Sequence, residues 1–337
     1  MSENAEKYIP IIILNWNGEV DTIECLNSIR QSKKCGFFPV LVDNGSTPES
    51  LTRLRNKCSL IYHDIQFFNR TQILSIQNSP VAGISDSITE ETLIFIENGE
   101  NLGFAQGNNI GIKFAESFQA EWVMLLNNDT VVHENSFFEL RKFIRLSPDI
   151  KAITPQICYY EPNTRVWNCG GELTYWGSRK YYFANADHIA VPKTGYRKIT
   201  FITGCALLFK YKETGPLTEK FFFGEEDYEF SLRMKNSGMK MACVFNSVIY
   251  HKVGSSIRKL SKLQELIYIQ YISRLINTRN YYSLLRWQIT KVLCYLYIPV
   301  LLWKSSINPV NSFQLIRRIN YYINRNNKVD ITEYTLQ

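Results

Sequence analysis

Asn127 and Asp129 close the segment LLNNDT at 125–130, an apolar run that ends abruptly in polar residues. On an extended chain side chains two residues apart share a side. One carboxylate with an amide partner suits a divalent cation that keeps several waters and shares a nucleotide's phosphates. The same Asn-Asp pair also serves as a plain turn after a buried strand. A second cluster, GEEDYEFSLR at 224–233, crowds Glu225, Glu226, Asp227 and Glu229 together at the start of a helical pattern. The helix dipole stabilises acids there in any protein. Behind Phe221 to Phe223 and Gly224, they also suit a general base in a partly dried pocket, its pKa tuned upward. His251, in YHKVG at 250–254, is a candidate metal ligand or phosphate contact, and equally a structural histidine. Asp43, in LVDNGS, offers a carboxylate to a base imide or ribose hydroxyl, although Asp-Asn-Gly-Ser is also a favoured turn. The glycines of NLGFAQGNNIG at 101–111 would let backbone approach a ligand ahead of a helix N-terminus; their spacing is not the dinucleotide fingerprint.

These residues sit where an alternating pattern of elements would place them. IPIIIL at 9–14 reads as a buried strand ending at Asn15, Asn17 and Gly18; 20–30 carries apolar residues at helical spacing; PVLVDNGS at 39–46 is a second strand. Ser50 to Cys58 and Asn108 to Phe118 read as helices, and 92–97 and 121–129 as strands. Residues 66–90 carry no assignable pattern, and 150–210 is irregular and β-rich. A helix follows from Glu225 to Asn236. The alternation predicts a mostly parallel sheet covered by helices, with the loops after residues 14, 43, 97 and 126 along one rim where ligands collect.

Composition narrows the classes. With 45% hydrophobic and 14% aromatic residues the chain can bury a large core, which excludes a disordered or collagen-like protein. The eight cysteines show no CxxC pair and several lie in apolar runs, as reduced thiols of a cytoplasmic protein would. The polar start lacks the basic and apolar regions of an export signal. The net charge of +7 is uneven: Lys252 to Lys328 holds 13 bases and one acid, Glu265, and the rest is net acidic.

Taken in order, the strand with Asp43, the NLGFAQGNN loop, LLNNDT, a Gly-Cys-Ala-Leu-Leu stretch, GEEDYEFSLR and YHKVG resemble the family 2 glycosyltransferases, most closely a bacterial rhamnosyltransferase-like branch. The resemblance covers about residues 9 to 255. It implies the GT-A fold, an α/β (Rossmann-like) nucleotide-sugar-binding domain at 1–255, followed by a basic, aromatic helical region at 256–337. It further implies inverting transfer of a hexosyl group from dTDP-rhamnose or a UDP-hexose to a glycan or lipid-linked acceptor in surface polysaccharide synthesis, with Mg²⁺ or Mn²⁺. Carried over residue by residue, Asp43 contacts the donor's base, with Asn15 and Gly18 lining that pocket. Asn101, Gly103, Phe104 and Asn109 shape the donor loop. Asp129 and His251 hold the metal, Asn127 and its neighbour Asn128 lie on the donor side, and Asp227 is the base, supported by Glu226. Thr203, Gly204 and Glu229 fall on the acceptor side; Glu229 stands where the branch usually has Asp.

In the basic tail, Val292 to Trp303 is an uncharged stretch of 12 residues, short of a membrane span. Across 284–325 the aromatic and basic residues suit an interfacial segment on an anionic leaflet, which would place the protein peripherally on the inner face of the cell membrane. A core helix or a homodimer interface would show the same pattern. Nucleic acid is disfavoured, since the bases accompany an apolar aromatic tract without a recognition motif. A sugar-phosphate nucleotidyltransferase would need a basic phosphate loop near the first strand, and NWNGEVD at 15–21 has no base. A non-catalytic sugar-nucleotide-binding protein would need no acid cluster.

Overall fold

Along β1 (Ile9–Asn15) Ile11 and Ile13 enter one apolar core and Ile12 enters another, because successive side chains of a strand face opposite ways. Both faces must therefore be covered, and helices cover them. The structure, a computed structural model, describes residues 8–75, 88–117, 120–253, 263–304 and 311–335.

After β1 come α1 (Glu19–Gln31), β2 (Phe37–Asp43), α2 (Pro48–Ile61), β3 (Asp64–Asn69), α3 (Arg70–Ser75), β4 (Thr92–Glu97), α4 (Gly103–Ser117), β5 (Val123–Asn127) and β6 (Thr130–Val132). The chain continues through α5 (Ser136–Leu146), β7 (Ile150–Tyr159), β8 (Val166–Asn168), β9 (Gly171–Leu173), β10 (Arg179–Tyr181), β11 (Tyr196–Ile199), β12 (Ala206–Phe209) and α6 (Tyr211–Thr214). It ends with α7 (Glu226–Asn236), β13 (Lys240–His251), α8 (Leu263–Tyr281), α9 (Leu284–Lys304) and α10 (Asn311–Ile323).

Among the described residues the main sheet runs β11-β13-β7-β12-β5-β1-β2-β4-β3. Its first half, β3 to β5, is parallel throughout, and β12 is the antiparallel strand joining it to the parallel pair β7 and β13. One core packs α4, through Ile110, Ile112 and Phe114, on the face presenting Ile12, Val40 and Ile94. The other packs α1, α2 and α5 on the face presenting Ile11, Ile13 and Leu41. The expected α/β architecture with a mostly parallel sheet is present. Of the unassigned stretch 66–90, the structure supplies the end of β3 and α3, and residues 76–87 lie outside those described.

A third core holds the C-terminal helices. Ile272, Leu275 and Ile276 of α8, Ile298 and Leu302 of α9, and Ile319 and Ile323 of α10 bury together with Tyr228 and Leu232 of α7 and with Phe201 and Phe221. The helices beyond residue 256 thus share a core with α7, the helix that opens with the acid cluster. All eight cysteines are unpaired, six of them buried.

The helix expected from Asn108 begins earlier, at Gly103. A Cβ on Gly107 would meet Leu14 Cδ1 at 2.6 Å, and one on Gly111 would meet Ile12 Cγ2 at 2.6 Å. These two glycines let α4 lie close on β1. They serve helix-on-strand packing and not the ligand approach expected of them.

Candidate active site

The carboxyl ends of β1, β2, β4 and β5 form one rim, and their polar residues hold it together. Asn15 Nδ2 donates to Asp43 Oδ1 at 2.8 Å, and Asp43 also accepts from Ser46 Oγ at 2.6 Å and Ser46 N at 3.0 Å. Thr22 Oγ1 donates to Asn15 Oδ1 at 2.8 Å, and Asn128 Nδ2 donates to Thr22 Oγ1 at 2.9 Å. Gly18 lies against Asn128, whose amide nitrogen would be 2.7 Å from an added Cβ. Asn15 and Asp43 are both buried, so their side chains are turned on each other and on the Asp43-Asn44-Gly45-Ser46 turn. Trp16, which the sequence reading passed over, stands beside them 53% exposed.

The donor loop is tied to the acid cluster. Asn101 Oδ1 accepts from Asn44 Nδ2 at 2.9 Å and from Gly103 N at 3.0 Å. Gly103 has a φ of +79° and a Cβ there would lie 2.2 Å from Phe222 O, so only glycine fits. Phe104 N donates to that same Phe222 carbonyl at 2.9 Å. Asn109 is half-buried: its side chain bonds Leu217 N, Leu217 O and Glu219 and fastens the 217–219 segment to α4.

Asp129 and His251 meet through strand pairing. The β6–β13 register sets His251 opposite Thr130, and Lys252 N donates to Asp129 O at 2.9 Å. His251 Nε2 then lies 3.1 Å from Asp129 Oδ1, both residues buried. Burial alone would pull the imidazole pKa down. The Cys205 thiol and the Asp129 carboxylate beside it outweigh that and hold it up at about 10. His251 Nδ1 is buried with no hydrogen-bond partner, and the Trp167 ring packs edge-on against the imidazole. One carboxylate and one imidazole are a donor set for a divalent cation. No third His, Cys, Asp or Glu joins them among the described residues, so a cation here would complete its shell from water and ligand oxygens. The residues fit such a cation. Asn127, at the end of β5, donates its backbone N–H to Cys205 O at 2.9 Å.

The acid cluster starts on a strained residue. Glu225 has φ +71°, rare outside glycine, asparagine and aspartate. Asn277 of α8 donates to its carbonyl at 3.1 Å. Its carboxylate is gripped by Arg274 of α8, with Nε at 2.6 Å, and by Arg179 of β10. Burial pushes this carboxyl's pKa up, but the two guanidiniums prevail and hold it below the ordinary range. Both arginines also lie over the Tyr228 ring, Arg274 at 4.2 Å and Arg179 at 5.3 Å. Neither was anticipated: nothing in the sequence links residues 46 and 49 positions away from Glu225.

The next three acids separate by environment. Glu226 is buried with Gly224 N donating to it at 2.9 Å, and burial pushes its pKa up to about 8. Asp227 is half-buried, its pKa raised by burial against the pull of Arg179, and Gly204 N lies 3.4 Å from its Oδ2. Glu229 does not face the acceptor side as expected. It is buried against Arg233, 3.2 Å away, and the Tyr281 hydroxyl of α8. The helix period turns it toward the C-terminal helices.

Thr203, Gly204 and Cys205 join the two groups. Ile202 N donates to Ser231 Oγ of α7 at 3.0 Å, Gly204 N reaches Asp227, and the Cys205 thiol lies against His251. Two consecutive residues, Gly204 and Cys205, therefore touch a half-exposed carboxylate on one side and a carboxylate–imidazole pair on the other. The model of the glycosyl transferase family group 2 matches residues 122–323, a span that contains both groups and α8 to α10.

The chain belongs to that family.

This glycosyltransferase is 20% identical over 257 residues, 72% of its own chain and 76% of the relative, to the low-salt glycan biosynthesis hexosyltransferase Agl10 of Haloferax volcanii. Among solved structures it is similar to GalNAc-T7 with UDP, GalNAc and Mn²⁺, at TM-score 0.58 and 14% identity, covering 100% of this chain. It spans only 57% of the GalNAc-T7 chain. It is also similar to the mannosyltransferase PcManGT of Pyrobaculum calidifontis in complex with GDP-Man and Mn²⁺, at TM-score 0.50 and 12% identity, covering 97% of this chain and 77% of that one. At these identities the structural likeness is one of fold.

Proposed function

We propose that this glycosyltransferase moves a hexosyl group from a nucleotide-sugar donor, dTDP-rhamnose or a UDP-hexose, to a hydroxyl of a glycan or lipid-linked acceptor, inverting the anomeric centre. The observation that carries this is the Gly204–Cys205 step, where Gly204 N reaches Asp227 and the Cys205 thiol lies against His251 of the Asp129–His251 pair. The nucleotide sugars named with the solved relatives, GDP-Man among them, support a donor of that class.

The donor lies on the rim. Trp16 offers its exposed ring to the base, and Asp43 and Asn15 hold the turn under it, with Oδ2 of Asp43 accepting only the Ser46 N–H among the bonds described. Gly18, Asn127 and Asn128 face the ribose and diphosphate, while Asn101, Gly103 and Phe104 close the pocket against Phe222. Asp129 and His251 would hold a divalent cation, Mg²⁺ or Mn²⁺, which when bound neutralises charge on the departing diphosphate.

Asp227 serves as base. The acceptor oxygen attacks the anomeric carbon from the face opposite the diphosphate, the carbon–oxygen bond to the diphosphate breaks, and the acceptor's proton passes to Asp227. Glu226, buried behind it, and Arg179, close enough to draw its pKa down, set its environment, and Thr203 and Gly204 border the acceptor. A role in surface polysaccharide synthesis, at the inner face of the membrane, follows from a lipid-linked acceptor.

Incubating the protein with dTDP-, UDP- and GDP-sugars plus Mn²⁺ or Mg²⁺, and following free nucleoside diphosphate, tests the reading. Metal-dependent release from one donor class is expected; no release from any donor, with or without a glycan acceptor, overturns it.

A further inference from the structure

α9 is apolar on two opposite sides. At about 100° per residue, Trp287, Thr290, Ile298 and Leu302 form one side, and all four are buried, the three apolar ones in the core shared with α7 and α8. Leu285, Ile289, Val292, Leu296, Val300 and Trp303 recur three to four residues apart on the other side, and all are exposed: Leu285 by 72%, Leu296 by 67% and Trp303 by 69%. A helix that has already buried one face in its own core has no folding reason to carry a second apolar stripe.

The surroundings of this stripe say what covers it. From Leu284 to Arg325 the sequence has six bases, Arg286, Lys291, Lys304, Arg317, Arg318 and Arg325, and no acid; of these Arg318 pairs with Glu265 at 2.9 Å. On α10, which packs beside α9, Phe313, Arg317 and Tyr321 lie along the exposed side, and Arg325 in the turn just beyond it sets its guanidinium 3.8 Å over the Tyr321 ring. Apolar side chains edged by tryptophan, tyrosine and bases match the boundary between acyl chains and anionic headgroups. A second copy of the chain would bring like charge against like charge. Among the described residues no helix is long and apolar enough to cross a membrane, so α9 would lie along the surface.

We propose that the outward face of α9, flanked by α10, is an interfacial docking surface for an anionic lipid leaflet, and that it holds the acid cluster near that leaflet. A chain of contacts links this face to the acid cluster. Arg286, at the start of α9, donates to Tyr175 O at 3.0 Å in the β9–β10 hairpin, which carries Arg179, and α8 carries Arg274. Both of these arginines hold Glu225, two residues before Asp227. The docking surface rests on no catalytic assignment; only its purpose, reaching a lipid-linked acceptor, rests on the proposed function.

Full-length protein is sedimented with vesicles of phosphatidylcholine alone and of phosphatidylcholine with phosphatidylglycerol, alongside Leu285→Glu/Leu296→Glu and Arg317→Glu/Arg325→Glu variants. All four positions are exposed, and the variants are expected to keep the wild-type melting temperature and donor hydrolysis. Binding to the anionic vesicles is expected, weakened by salt, and reduced about tenfold or more in each variant. Three results overturn the proposal: no sedimentation with anionic vesicles, equal binding by the Leu285→Glu/Leu296→Glu variant, or a wild-type dimer without vesicle binding that this variant dissociates. Donor hydrolysis without vesicle binding removes the surface and leaves the transferase reading; vesicle binding without hydrolysis of any donor does the reverse.

Discussion

Asp129 and His251 meet because β6 and β13 are hydrogen-bonded neighbours; Glu225 and Asp227 keep their places because Arg179, Arg274 and Asn277 reach them from elsewhere in the chain. The first corner costs little to build. Strand pairing alone sets it: β13 sends Met241 and Cys243 into one core and Ala242 and Val244 into the other, and its pairing with β6 puts His251 opposite Thr130. The second corner starts on a non-glycine residue at positive φ and concentrates four acids, so it must be held by counter-charges. The lesson is that the Asp129–His251 corner belongs to the sheet, whereas the acid corner depends on the β9–β10 hairpin and on α8.

The comparison breaks most sharply at Asp227. Asp227→Asn is expected to lower transfer by about 10²–10⁴-fold, the range for losing a general base, with metal-dependent nucleotide binding and melting temperature retained. Turnover near the wild-type level in a steady-state assay would remove Asp227 from its role.

Next comes the brace. Arg274→Met leaves the buried Glu225 carboxylate with Arg179 alone, and stripping a partner from a buried ion pair costs up to about 3–5 kcal/mol. Denaturant unfolding should show most of that loss, together with a fall in kcat. Asp129→Asn also strips a partner from a buried pair and should cost stability as well, but it alone should remove the response of activity to Mn²⁺. Loss of the Mn²⁺ response in both variants would erase the distinction between the corners.

The smallest effect concerns Glu226. Its carboxyl ionises near 4.5 in an unfolded chain and at about 8 when buried here. Across that window the unfolded state gives up a proton that the folded state retains, so stability falls as pH rises from about 4.5 to 8. Glu226→Gln should flatten this dependence, melting above the wild type at pH 8 and close to it at the acid end. A scan of melting temperature against pH checks it; parallel curves would show that Glu226 does not titrate in this way.

What the sequence by itself determined is whatever is local or periodic. The β, α, β order is written in alternating apolar runs, so the parallel half of the sheet and its rim were legible. Polar residues that break an apolar strand mark strand ends, which made Asn15, Asp43, Asp129 and His251 legible as rim positions. Resemblance to a family assigned roles to them and to Asp227. Only the tertiary structure decided the rest, because each remaining feature is a contact between segments far apart in the chain. Gly107 and Gly111 proved to be packing positions against β1, since a glycine needed for a ligand and one needed for a neighbouring strand look the same in sequence. Asn15 and Asp43 turned out to hold each other, and Glu229 to face α8. Arg179 and Arg274 carry no local signal at all; a guanidinium becomes a brace only when folding places it against a buried carboxylate. The exposed stripe of α9 was visible as apolar sequence, but that it points outward depends on which face the core had already taken.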